Sequence, residues 1–153
     1  MSMADYERAK TIIAANRAKA SFAGPRAEEL ILKAEDALGL RFPATYRQFL
    51  LDYGAGNFGP AEFYGVIDED WEDSSVPDGV WYTLSERRQS GMPVDLVVVG
   101  DTGTGELYVL DVSEDAGPVC VVDPGTNLTS RERIASDFGE FFLQRIQPVA
   151  AGT

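Results

Sequence analysis

Three groups of residues in this chain have types and spacings that chemistry could use. The first is Asp101-Thr102-Gly103, inside the glycine-rich run Gly100 to Gly105. Asp-Thr-Gly carries the activating aspartate of aspartic proteases, a mechanism that needs two carboxylates sharing one proton. The tripeptide occurs once here, so a homodimer would have to assemble the pair. Retroviral-type proteases also place Ser or Ala after the glycine, where this chain has Thr104, then Gly105 and Glu106. A hairpin turn explains the same residues, with glycines supplying positive φ while Asp101 and Thr102 bond local amides. As a phosphate cradle the turn lacks a following helix N-terminus and a nearby lysine.

The second group is Asp68, Glu69, Asp70, Trp71, Glu72 and Asp73, five carboxylates around one tryptophan. So dense a run of one sign resists burial and implies an exposed loop. Three uses compete: a solvated loop, a surface for a basic partner with Trp71 as aromatic anchor, and calcium binding. An EF-type calcium loop needs alternating oxygen ligands, a central glycine and a glutamate at its twelfth position, and this register has none of them. Tyr64, Trp81 and Tyr82 could line a groove beside the loop, or serve as core. The third group is Cys120 alone, which in Pro-Val-Cys-Val-Val reads as a small buried apolar side chain. The chain contains no histidine, so Ser-His-Asp, Cys-His and His-zinc chemistry are absent from it. No spacing among the 25 acidic residues marks a glycosidase pair. The residues therefore nominate no catalytic group, metal site or cofactor, and an acid-residue hydrolase using Asp101 is the remote alternative.

The elements that position these groups follow from periodicity. Val94 to Asp123 holds three Val-rich runs separated by the turn clusters Gly100 to Gly105 and Ser113 to Pro118, the pattern of an antiparallel meander. Before it, Asp5 to about Ser21 has helical composition, stopped by Gly24 and Pro25, with Pro25 suited to open the next helix. Arg26 to Leu38 predicts a second helix ending at Gly39, and Ala44 to Tyr53 a third, started by Pro43 and closed by the Gly54 to Asn57 cluster. Glu62 to Ile67 reads as a short strand and Thr83 to Ser90 as a short helix carrying Arg87 and Arg88. Asn127 to Ala135 is a connector with room for one more strand. Ser136 is the expected N-cap of a last helix, with Phe138, Phe141, Phe142, Leu143 and Ile146 on its packing face and Pro148 at its end. The fold class is α+β: one domain of 153 residues with a central, mostly antiparallel sheet between N-terminal helices and a C-terminal helix.

Charge is unevenly spread. Residues 1–60 carry eight basic against seven acidic side chains, a net of +1, while residues 61–153 carry five against eighteen, a net of -13. That surface repels nucleic acid and anionic membranes and steers basic partners. No apolar run approaches the roughly 18 residues of a membrane span, and the first ten residues have no signal-peptide core, which places the chain in the cytoplasm as an expectation.

Two stretches together resemble the SUKH superfamily, which includes bacterial toxin-immunity proteins and the Smi/Knr cell-wall regulators of yeast. Leu38 to Leu50 with Tyr53 to Gly56 is similar to its pattern of glycine, Pro43, Tyr46 and a closing Gly56. Val99 to Asp101 with Gly105 to Asp111 resembles its Gly-Asp hairpin, with Gly100, Asp101 and Gly105 as motif residues. Ile134 to Phe142 resembles the closing helix, so the likeness spans about residues 27–146, with residues 1–24 as an additional helix. Phe42 stands where leucine is usual. The resemblance implies a protein without enzymatic activity and, for bacterial members, one that binds and neutralises a cognate toxin, often a nuclease or nucleic-acid deaminase. Regulation or scaffolding of the Smi/Knr type is the alternative.

Overall fold

The computed structural model describes residues 2–125 and 127–152. In chain order its elements are α1 (Ser2–Ala15), a 3-10 turn (Arg17–Lys19), β1 (Ala20–Phe22), α2 (Glu28–Leu38), α3 (Ala44–Asp52), β2 (Gly56–Phe58), β3 (Ala61–Phe63), α4 (Gly79–Gln89), β4 (Leu96–Asp101), β5 (Leu107–Asp111), β6 (Val119–Asp123), β7 (Asn127–Ala135) and α5 (Phe138–Ala151). The class is α+β, as expected, with all strand pairing antiparallel in two sheets of order β1-β2-β3 and β4-β5-β6-β7.

The Val-rich meander forms β4, β5 and β6, and alternation along it covers both faces. Val97 and Val99 of β4 join the main core, while Leu96 and Val98 turn to a smaller cluster with Tyr64, Met92, Val109 and Cys120. A bulge between Val98 and Gly100 re-aims the end of β4. A Cβ on Gly100 would lie 3.1 Å from the Tyr108 ring, so glycine lets that ring cross the strand. The second sheet was not foreseen. It attaches to the first through the Tyr64 amide, which donates to the Val99 carbonyl at 2.9 Å.

Several boundaries differ from expectation for local reasons. The N-terminal helix stops at Ala15 rather than Ser21, where the Asn16 side-chain amide donates to the Ile12 carbonyl at 2.9 Å, and the following residues pair with β2 instead. β2 lies where a left-handed loop was expected. Its Gly56, at φ 148°, allows that pairing, because a Cβ there would sit 2.3 Å from the Ser21 carbonyl oxygen. The second helix opens at Glu28 and not Pro25, and Gly39 ends it at φ 72°. The possible extra strand is the nine-residue β7. Asp137, not Ser136, caps α5: its carboxylate accepts the Glu140 amide at 3.0 Å, while the Glu140 carboxylate accepts the amide of Ser136, the residue before the cap, at 2.7 Å. The last helix runs through Pro148 to Ala151, since a proline so near the end removes a single backbone bond and the Gly152 amide still reaches the Pro148 carbonyl.

Aromatic rings fill the main core. Phe49 of α3 is fully buried and has the rings of Phe22, Tyr46, Tyr53, Phe63, Phe138 and Phe142 within 5.0 to 6.3 Å. Pro43 holds the N-cap position of α3 and packs so closely on Gly117 that a Cβ there would be 2.2 Å away. The buried Tyr46 hydroxyl donates to the Tyr64 carbonyl at 2.9 Å, tying α3 to the chain leaving β3.

Candidate functional site

The acidic run lies on the loop between β3 and α4, and its two ends are fastened together. The Gly65 amide donates to the Pro77 carbonyl at 2.9 Å and the Gly79 amide to the Gly65 carbonyl at 2.7 Å. Only glycine fits at 65, because a Cβ would lie 1.8 Å from the Gly54 carbonyl oxygen. Inside the loop, carboxylates are spent on backbone amides: Asp68 accepts from Asp70 at 2.9 Å and Asp70 from Asp73 at 3.4 Å. These Asx bonds fix a compact loop where repulsion alone would extend it.

Asp68, Glu69, Asp70, Glu72 and Asp73 are exposed, as a like-charged run demands. Glu69 pairs with Lys33 at 2.7 Å, which pushes the Lys33 ammonium pKa up, but both side chains are mostly in water and the pair adds little stability. Among the described residues no cation lies within 4 Å of Asp68, Asp70, Glu72 or Asp73. Trp71 is half-buried against the main core, and its indole nitrogen is buried without an acceptor.

Asp78 closes the loop and starts α4, a role that sequence reasoning missed. It is wholly buried, and its Oδ1 accepts the Val80 and Trp81 amides at 3.0 Å each. Burial raises its pKa, against the opposing pull of those amides and the Ser74 hydroxyl, and Asp68 nearby adds to the rise. The Ser74 hydroxyl favours the charged form, yet Oδ2 has no partner in hydrogen-bonding geometry. The only sequence signal for Asp78 was its place before Gly79 and an apolar residue, indistinguishable from the neighbouring loop acids.

The structure brings Tyr64, Trp81 and Tyr82 together. Tyr64 stacks on Tyr82 at 5.5 Å and Trp81 meets Tyr82 edge-on at 5.8 Å. Tyr64 is buried, while Trp81 and Tyr82 are half-buried. Burial, with Asp101 close by, pushes both tyrosine hydroxyls up, so both are neutral donors at physiological pH. Asp101 itself is exposed and accepts the Gly103 amide at 2.6 Å, while the Thr102 amide donates to the Glu106 carbonyl at 3.1 Å. Gly103 and Gly105 take φ 85° and 95°, closing the β4-β5 turn. Cys120 is buried, and burial raises its thiol pKa. Among the described residues no three His, Cys, Asp or Glu side chains converge as a metal site, and no helix is long and apolar enough to cross a membrane.

An antiparallel meander backed by aromatic helices, with a run of exposed carboxylates on a loop fastened at both ends, makes this an α+β protein. The model of the SMI1-KNR4 cell-wall family matches residues 28–142, from the start of α2 to Phe142 in α5, and the chain belongs to this SUKH family. Pro43, Tyr46, Gly56, Gly100, Asp101 and Gly105 all fall within the match, while α1 and β1 lie outside it.

Proposed function

We propose that this protein is a non-enzymatic, cytoplasmic immunity protein, which binds and neutralises a basic toxin domain, for example a nuclease, through the loop Asp68 to Asp73. The observation that carries the reading is the group of four exposed carboxylates with no cation within 4 Å among the described residues, on a loop held at both ends by backbone hydrogen bonds. A net of -13 beyond residue 60 adds a long-range field. Such a field raises encounter rates with cationic partners by roughly 10-fold or more, and the loop's fixed shape limits the ordering entropy lost on contact. For a nuclease, carboxylates would occupy a cleft built for phosphates.

The test uses the toxin encoded beside this gene, immobilised and titrated with the protein. Replacing Asp70, Glu72 and Asp73 by their amides should weaken binding at least 10-fold with an unchanged melting temperature, mostly through slower association. Unchanged affinity rejects the loop as the contact. The family's cell-wall description supports a second reading, a regulatory or scaffolding module without a toxin. An isolated gene and no binding to any neighbouring product would favour it.

A further inference from the structure

Away from the acidic loop, the chain forms a cavity of about 540 Å³ between the end of α1 and β1, lined by Lys10, Ile13, Ala14, Arg17, Ala20 and Phe22, which precede the family match, and by Tyr53 within it. That volume lies within the range of small-ligand sites. Its floor is apolar, with the Phe22 and Tyr53 rings 4.7 Å apart. Every polar side chain on it is a donor. Lys10 and Arg17 are cations, and the Tyr53 hydroxyl, its pKa pushed up to about 12 by burial and by Asp52, stays protonated. In a chain with 25 acidic residues, none lines this cavity.

We propose that this cavity binds a small amphiphilic monocarboxylate, an aliphatic or aromatic acid whose apolar body rests on Phe22, Ile13 and Ala14 and whose carboxylate meets Arg17. The charge balance selects a single negative charge. Lys10 already pairs with Asp52 at 3.2 Å and lies 3.8 Å from Glu7, whereas Arg17 has no carboxylate within 4 Å among the described residues. One uncompensated guanidinium remains; its fork can hold a carboxylate or a phosphate, but it balances only a single negative charge, which a monocarboxylate carries and a phosphate dianion exceeds. The apolar floor in turn excludes a fully hydrated anion such as acetate. The inference is independent of the proposed toxin binding, since it uses none of the loop residues.

The test is a titration of the full chain with sodium octanoate, followed by amide chemical shifts. Saturable shifts confined to Ala14, Arg17, Ala20, Phe22 and Tyr53 are expected, with a dissociation constant below about 1 mM. Arg17→Ala should weaken octanoate about 5-fold or more, the loss of one charge-assisted hydrogen bond. Ala14→Trp, an exposed helix position at the cavity mouth, should abolish the shifts while the melting temperature holds. Octanol binding as tightly as octanoate, or no saturation by about 10 mM, would overturn the proposal. So would a dimer, in sedimentation of the free protein, that Arg17→Glu disperses, because the cavity would then be an interface between copies.

Discussion

Replacing Asp78 by asparagine should stabilise the protein at neutral pH, whereas alanine should destabilise it. The carboxylate is 0% exposed, with Oδ1 bonded to two amides of the first turn of α4 and Oδ2 buried without a partner. Alanine removes the cap, at a cost of about 2 kcal/mol for a buried N-cap. Asparagine caps as well as aspartate does, and it replaces an unpaired charged oxygen by an amide group able to meet the Ser74 hydroxyl. An unsatisfied buried polar group costs on the order of 1–3 kcal/mol, so relief at the low end gives about 1 kcal/mol, or roughly 2–4 °C in melting temperature for a chain of this length.

The sign with pH follows from the direction of the shift. Burial raises the Asp78 pKa above its ordinary value. The folded protein therefore holds that proton more tightly than the unfolded chain, and stability is lost as pH rises from the unfolded pKa through the folded one. The asparagine advantage should be near zero around pH 4, the unfolded range, and grow as pH rises toward 7. Urea unfolding followed by tryptophan fluorescence at both pH values, with unchanged m-values, measures it. The reasoning fails if Asp78→Asn is destabilised at pH 7, or if its advantage is the same at both pH values.

Phe49→Ala removes the ring at the centre of the aromatic core and should cost about 3–5 kcal/mol in urea unfolding; a loss under about 1 kcal/mol would mean that the core is not packed as described. Cys120 should resist a thiol reagent at pH 7 in the native state and react fully in denaturant, because the thiolate is disfavoured and covered. Rapid native labelling would contradict its burial.

Sequence alone reveals those parts of the fold that depend on repeated patterns. Alternating Val, Leu and Tyr between glycine clusters are enough for β4, β5 and β6, and spacings of three and four with Gly39 and Pro43 mark α2 and α3. β1 and β2 are three residues each, too short to show a period, and they exist because Gly56 lets two backbones approach. The acidic loop was legible as exposed, since charge density decides that without tertiary information. Its fastening was not: Gly65 is required by a carbonyl from Gly54 eleven residues earlier, and Asp78 is buried by packing that no local pattern encodes.

The helix that lies outside the family match is no loose appendage. Tyr6 and Ala9 of α1 are fully buried, the Tyr6 ring stacks 5.7 Å from Phe142 of α5, and its hydroxyl donates to Asp52 at 2.6 Å. A fragment cut to residues 28–142 would lose α1 and all of α5 beyond Phe142, with buried Leu143 and Ile146, leaving Phe142 uncovered, and it would shed the α1 and β1 walls of the cationic cavity. The segment by which this chain is recognised is therefore shorter than the segment that can fold cleanly. Anyone trimming the gene to its recognisable part should expect an insoluble product.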